Sequence, residues 1–278
     1  MRMDFQLNSG VTLLLDSGLA PDQTYPTAKI RKGLVMVYEG QVLCEEAVGF
    51  GLPILKRGLQ AIFPGEIELT PAINSLAYEV RARYRLNLEE RIKKAGASTL
   101  QSPILYRCKN ALAALMRRLP FMRTLLSGAS SLLRSTLEWE TTYEPTNESD
   151  FVTLIYAADP HRGIIRVTLE SIEQRQPGVT EIIVMNEQGA RFFERYQDAE
   201  GASLHGDEIG CWDEVKARQA KFICPALGLA FSLAQADHAR LYRGRELIGA
   251  RLAWAGFGYT LAPPQDHFSY EITVSKLL

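Results

Sequence analysis

Acidic side chains are missing from one long stretch of this chain. No Asp or Glu lies between Glu90 and Glu138, whereas the same stretch carries nine Lys and Arg residues. Because the whole chain has 31 basic and 32 acidic residues, the remainder holds 22 basic against 32 acidic ones. The nearly neutral total therefore hides an acidic body with one basic, apolar segment, which is where an anionic partner would make contact.

The motifs of the common catalytic and cofactor-binding classes are absent as well. The sequence has no GxSxG elbow for a nucleophile, no CxxC pair, and no HxxxH or HxH spacing for a metal. The run Gly49–Pro53 contains glycines but lacks the Lys-Ser/Thr pair that binds phosphate. We therefore predict no metal and no cofactor.

Long apolar runs are missing too. The early run Val11–Leu15 is shorter than the roughly 7 to 15 apolar residues of a secretory signal, and no stretch approaches the ~20 residues of a membrane span. We expect no signal peptide and a cytoplasmic protein. The four scattered cysteines, which are predicted to be buried thiols and not disulfides, are Cys44, Cys108, Cys211 and Cys224.

Most of the remaining sequence has the alternation of antiparallel strands. Between Tyr78 and Leu88, apolar residues at even positions alternate with charged or polar residues at odd positions, which predicts one strand with a dry face and a wet face. Glu39-Gly40 predicts a hairpin turn, and further turns are predicted at 186–189 and 243–245. We expect about 14 to 18 strands and no βαβ alternation.

The segment without acids is the exception to this pattern. Ser102-Pro103 is typical of a helix start, and leucines then recur at three- and four-residue steps until Leu119-Pro120. This predicts a basic amphipathic helical hairpin, inserted at about 102–134 between two strands. Its basic residues include Arg107, Lys109, Arg117, Arg118 and Arg123.

Two roles for this hairpin stay open. Its basic face would dock on an anionic membrane surface or an acidic protein, or its leucines would pack on the sheet and leave the arginines in solvent. Nucleic acid is not an expected partner, because the acidic remainder of the chain would repel phosphate.

Histidines next to acidic residues are the candidate catalytic groups. An Asp beside a His orients the ring and raises its basicity, as in general-base pairs. The two pairs best suited to this role, both placed in turns between strands, are Asp159 with His161 and His205 with Asp207. Turns are also where Asp, Pro, Gly and His ordinarily collect, and this structural explanation is the favoured one for each pair.

Tryptophan and tyrosine side chains are the candidate binding groups. Sugar rings present apolar C–H faces that stack on such rings, while their hydroxyls bind acidic and basic side chains. Trp212 lies in an acidic, loop-like stretch and is the preferred platform, followed by Trp139 with Tyr143. Trp139 and Trp254 also fit the core, because both alternate with apolar neighbours.

We predict a mainly β protein: a single antiparallel β-sandwich domain over residues 1–278 with the helical insertion at 102–134. In strand count and length it resembles the galactose-mutarotase-type supersandwich of carbohydrate-active proteins, although the paired histidine motifs of sugar epimerases are absent. That resemblance implies a carbohydrate-active protein, such as a polysaccharide lyase or glycoside hydrolase. The alternative is a non-enzymatic module that docks through its basic hairpin.

The carbohydrate hypothesis gives each candidate residue a role. His205 or His161 would act as the base, while Asp207 and Glu208 would orient it or act as the acid. Arg162 would hold a substrate carboxylate, and Trp212 would carry the sugar ring.

Overall fold

A computed structural model describes residues 1–17, 29–58, 60–71, 78–94, 139–173, 177–248, 252–262 and 267–277. Eighteen strands lie in these ranges: β1 (Arg2–Gln6), β2 (Val11–Asp16), β3 (Val35–Tyr38), β4 (Gln41–Val42), β5 (Gly49–Arg57), β6 (Gln60–Pro71), β7 (Tyr78–Lys94), β8 (Trp139–Asp159), β9 (Ile164–Glu173), β10 (Glu181–Gln188), β11 (Arg195–Asp198), β12 (Ser203–His205), β13 (Asp213–Glu214), β14 (Gln219–Cys224), β15 (Leu229–Ala234), β16 (Ala239–Ile248), β17 (Leu252–Leu261) and β18 (Phe268–Lys276).

The strands form two antiparallel sheets. The small sheet has the order β1-β2-β3-β4, and the large one the order β12-β11-β14-β15-β18-β9-β8-β7-β6-β5-β10-β17-β16-β13. Every pairing between these strands in the described ranges is antiparallel, which confirms the prediction of a large antiparallel β protein.

Aromatic contacts show that the large sheet bends back on itself. Phe222 on β14 meets Phe257 on β17 with ring centroids 4.9 Å apart, and Phe50 on β5 meets Phe231 on β15 at 5.0 Å. These strands are far apart in the order of the sheet, so their contact makes two packed layers with the aromatic core between them.

The small sheet contacts the large one at β5 and β10. Leu34 forms an isolated bridge with Phe50. The Gln188 side chain donates to the Leu34 carbonyl (3.1 Å) and accepts from the Met36 amide (3.2 Å). This buried amide therefore joins β10 to β3 across more than 150 residues of sequence.

The alternation in β7 is confirmed. The even-numbered side chains from Val80 to Leu88 are buried, while Arg81, Arg83 and Arg85 point to the outer surface. The hairpin at Glu39-Gly40 is confirmed as well: these two residues have φ of 51° and 79° and join β3 to β4.

Two predicted turns are wrong. Asn186 and its polar neighbours, predicted as a turn, are buried inside β10, because their hydrogen-bond partners come from distant strands. Gly244, predicted as the centre of a hairpin turn, lies inside β16, which runs without a break to Ile248. A Cβ at Gly244 would lie 2.7 Å from the Trp254 ring, so this glycine makes room for an indole.

The predicted helical hairpin at 102–134 lies outside the described residues, together with all five of its basic candidates, and stays a prediction. Within the ranges given above, no helix is both long and apolar enough to cross a membrane.

Candidate functional site

The predicted residues His205, Asp207 and Glu208 share one short structure at the end of β12. The four residues Gly206–Ile209 form a 3₁₀ helix, and the Glu208 carboxylate accepts a hydrogen bond from the His205 amide at 3.2 Å. This contact caps the helix and fixes the backbone around the imidazole. His205, Asp207 and Glu208 are all exposed.

The acid beside the imidazole is Glu194 and not Asp207. Glu194 Oε1 lies 3.7 Å from His205 Nε2, and the Glu194 carbonyl accepts a hydrogen bond from the Gly206 amide at 2.9 Å. The pairing of Arg195 with His205 in the β11–β12 hairpin brings the two side chains together. Sequence reasoning missed Glu194, because the signal is the hairpin pairing and not a local motif.

Asp207 faces an arginine instead. Its Oδ1 atom lies 3.5 Å from Arg245 Nη1 on β16, which is beyond good hydrogen-bond distance for this pair. The Asp207 side chain is 98% exposed, whereas that of Arg245 is only 7% exposed. Arg245 Nη2 donates to the Ala190 carbonyl at 3.1 Å, and burial lowers the pKa of Arg245 more than Asp207 and Glu194 raise it.

A second arginine lies on the same face of β16. Arg243 is two residues from Arg245, so both side chains point to one side of the strand. Its guanidinium carbon lies 4.6 Å from the centre of the Tyr196 ring, and Nη2 lies 3.8 Å from Asp213. This part of β16 thus carries two guanidinium groups with exposed or half-buried acids nearby.

Trp212 lies against the same strand and stacks on Trp254. The indole rings are 4.8 Å apart and inclined by 15°. Trp254 is buried, as predicted for a core residue, while Trp212 is half-buried and has a φ of 58°, which non-glycine residues rarely adopt. A Cβ at Gly258 would lie 3.1 Å from the Trp212 ring, so glycines on β16 and β17 make room for the stack.

Trp212 and Arg245 occupy opposite faces of β16 beside its edge. Trp254 pairs in register with Glu246, and Ala255 pairs with Arg245, one position along. Since successive side chains in a strand point to opposite faces, the indole stack and the arginines are separated by the thickness of the strand. We call Glu194, His205, Asp207, Trp212 and Arg245 together the β16 rim.

Buried carboxylates lie behind the indole stack. Cys44 and Ala47 pack against Trp254, and Glu46, between them, is only 2% exposed, with both carboxylate oxygens lacking a hydrogen bond. Arg191 approaches Glu46 to 4.0 Å and binds Glu45 at 2.7 Å. Burial raises the pKa of Glu46, and the nearby Arg191 lowers it by less.

Glu187 on β10 is the second buried carboxylate. Burial raises its pKa to about 8; a contact with the Val48 amide at 3.4 Å and the charge of Lys32 oppose the shift. In the registers of the neighbouring strands it stands opposite Gly49 and Gly256, so it is flanked by glycines on both sides. A carboxyl group with a pKa near neutral is a common feature of functional sites.

The other predicted pair, His161 and Arg162, lies elsewhere. Both are exposed in the turn between β8 and β9, where the Asn8 side chain donates to the His161 carbonyl at 3.3 Å. Ile164, close to this pair, and Ser203, close to His205, are joined by successive register partners in neighbouring strands. These partners pass from β9 through β18, β15, β14 and β11 to β12, which is five strand spacings, or roughly 24 Å along the sheet. The structure therefore does not bring this pair to the β16 rim.

Two predicted aromatic residues have different outcomes. Tyr143 is 6% exposed, and its ring packs edge-on against Phe63 with centroids 5.0 Å apart, so it lies in the core. The side chain of Trp139 lies outside the described part of the structure, although its backbone begins β8.

The remaining histidines, His238 and His267, line a separate cleft of about 480 Å³. Tyr259, Phe268 and Tyr270 lie beneath it and are buried. Across the described ranges, no three His, Cys, Asp or Glu residues are arranged to hold a metal ion.

No family model matches this chain, and no curated protein is similar to it in sequence. Among solved structures it is similar to the α-N-acetylgalactosaminidase NagBb from Bifidobacterium bifidum, bound to GalNAc, with a TM-score of 0.51 and 9% identity. The complex of that enzyme with Gal-NHAc-DNJ gives a TM-score of 0.50 and the same identity. The match covers 99% of this chain but only 36% of the enzyme, and at this identity it concerns the fold alone.

Proposed function

We propose that the chain is a carbohydrate-active protein that binds a glycan at the β16 rim. The observation that carries the proposal is the stack of Trp212 on Trp254, whose ring centres are 4.8 Å apart. It holds the half-buried indole of Trp212 in place near the polar side chains of the β16 rim. A preformed aromatic surface loses little conformational entropy when a sugar ring stacks on it. The glycosidase-like fold agrees with this role, although the chain spans about a third of the enzyme that it resembles.

The polar side chains of the rim suit hydroxyl groups, which both donate and accept hydrogen bonds. Glu194 would accept from them, and Arg245 would donate to them. Because Trp212 and Arg245 lie on opposite faces at the edge of β16, one monosaccharide does not reach both. We therefore expect an oligosaccharide that passes around this edge.

We assign proton transfer at this site to His205, with Glu194 as the neighbouring carboxylate, 3.7 Å from Nε2. Both a lyase and a hydrolase need such a transfer. A lyase releases an unsaturated sugar that absorbs ultraviolet light, whereas a hydrolase releases only new reducing ends. The His205→Ala variant should lose either product while keeping most of its affinity for the glycan.

The test of the proposed function is binding. A broad panel of oligosaccharides would be screened by thermal shift and by tryptophan fluorescence on the wild type, Trp212→Ala and Trp212→Phe. We expect one class of glycan to raise the melting temperature, with the effect lost in Trp212→Ala and largely kept in Trp212→Phe. Arg166→Gln is the control, since that residue pairs with Glu271 at 2.8 Å on the exposed face of β9 and β18.

A glycan that binds equally well to Trp212→Ala would contradict the proposed site. Vesicle binding that weakens with salt, without any response to sugars, would favour the basic segment as the functional surface. In that case the arginines at 107, 117, 118 and 123 should be replaced by Gln in the same assay.

A further inference from the structure

Arg245 is a buried cation without a close counterion. Its side chain is 7% exposed, its Nε atom has no hydrogen-bond partner, and Nη2 donates only to the Ala190 carbonyl, which is uncharged. The nearest carboxylate oxygen, on Asp207, is 3.5 Å away and belongs to a side chain that is almost fully exposed. A buried guanidinium normally binds a carboxylate through two parallel hydrogen bonds.

The neighbouring charges do not compensate for this burial. The pKa of Arg245 is lowered because desolvation outweighs the attraction of Asp207 and Glu194 together. Arg243, two residues away on the same face, adds a second guanidinium, and its closest carboxylate, on Asp213, is 3.8 Å away. Neither arginine therefore has a carboxylate oxygen at the short distance of a charge-assisted hydrogen bond.

Asp207 is easily displaced. Because it stays solvated in its present position, moving it aside loses only a weak interaction with Arg245. A ligand anion in its place would gain charge-assisted hydrogen bonds from a guanidinium that has already lost most of its water.

We propose that Arg245 binds a carboxylate on the glycan, so that the ligand of the β16 rim is an oligosaccharide containing a uronic acid. This inference rests on the proposed function, and it names the substrate class of the same site. It also moves the carboxylate-binding role from Arg162, which lies away from the β16 rim, to a residue that belongs to this rim.

The experiment compares acidic oligosaccharides with neutral counterparts of the same size. Oligouronates and their methyl esters would be titrated into the wild type, Asp207→Asn and Arg245→Lys, with calorimetry and tryptophan fluorescence as readouts. We expect the wild type to prefer the acid over its ester and the preference to weaken with added salt.

The two variants should move affinity in opposite directions. Asp207→Asn removes a competing anion, so the acid should gain about fivefold in affinity relative to the ester. Arg245→Lys keeps the charge but loses the two-pronged donor, so the acid should bind about tenfold more weakly. Asp207→Asn remains informative even if Arg245→Lys fails to fold, because Asp207 is exposed.

Equal affinity for acid and ester, or no gain in Asp207→Asn, would overturn this inference while leaving glycan binding at Trp212 intact. If neither the acids nor the esters nor the neutral panel bind, the proposed function falls with it.

Discussion

Two regions of the molecule carry the same types of charged residue, arginine and glutamate, in opposite environments. On the outer face of β7, Arg81 pairs with Glu170, Arg83 with Glu173 and Arg85 with Glu66, and all of these groups are in contact with solvent. The region around β10 and β16 instead buries Glu46, Glu187 and Arg245, with counterions that are distant or absent.

The difference between these regions is solvation and not composition. An exposed ion pair contributes about 0 to 1 kcal/mol, because water already stabilises both charges. Burying a charge without a partner costs several kcal/mol, because neither water nor a counterion stabilises it. This cost shifts the pKa of the group and favours its interaction with a ligand of opposite charge. The β7 ladder, by which we mean the ion pairs of Arg81, Arg83 and Arg85, is thus a solvated face. The β16 rim instead has the properties of a ligand-binding site.

The largest effect should come from Glu187. Its pKa is about 8 in the folded state against an ordinary 4.5, so the folded protein holds a proton that the unfolded chain releases. The free energy of unfolding is therefore highest below pH 4.5 and falls as the pH rises from there through 8, by on the order of 5 kcal/mol. Urea denaturation between pH 4 and 9 should show this slope, and Glu187→Gln should remove most of it.

Glu46 remains in that variant, and since its pKa is also raised, a smaller slope of the same sign should persist. Glu170→Gln on the β7 ladder is the matched control and should keep the full slope. A wild-type protein whose stability is flat over this range would show that Glu187 is solvated in the folded state.

The next largest effect should come from a buried ion pair in the same sheet as the exposed pairs of the β7 ladder. Arg57 pairs there with Asp150, and their side chains are 14% and 2% exposed. Asp150→Ala should lower the free energy of unfolding by about 3 kcal/mol, because it leaves Arg57 without its counterion in a largely dry place. The double variant Arg57→Met with Asp150→Leu should recover most of this loss, as measured by urea denaturation, and failure to recover would point to a role in addition to charge compensation.

Trp212 should have an intermediate effect on stability. Trp212→Ala removes one ring of the indole stack and should lower the free energy of unfolding by about 2 kcal/mol, while Trp212→Phe should lose less than half of that. The same preparations serve for the glycan titrations. A variant that keeps full stability would mean that the stack is not formed in solution.

Much of the fold was predictable because local patterns decide it. From Val80 to Leu88, successive side chains alternate between apolar and polar, and this local pattern is enough to assign the two faces of β7. The hairpin turn is likewise local, because Glu39-Gly40 itself provides the glycine that the turn requires. The large antiparallel β body follows from many such segments.

The errors occur where distant residues decide the structure. Asn186 and Gln188 were predicted as a turn because polar residues cluster there, but Gly51, Tyr270, Leu34 and Met36 provide their hydrogen bonds. Glu194 and Arg245 were missed at the candidate site for the same reason, since the hairpin of β11 with β12 and the approach of the 3₁₀ helix to β16 bring them to His205 and Asp207.

The smallest effect should come from the ladder itself. Arg83 contacts Glu173 at 2.9 Å and Glu68 at 3.7 Å, and its guanidinium lies 4.0 Å from the centre of the Phe151 ring. Despite these three contacts, Arg83→Gln should lower the free energy of unfolding by only about 0.5 kcal/mol, because every charged partner is exposed. Arg83→Lys controls for the charge, and the difference between the variants and the wild type should shrink in 1 M salt. A salt-resistant loss of about 3 kcal/mol would show that the ladder acts as one cooperative network, and the contrast with the β16 rim would then be one of degree.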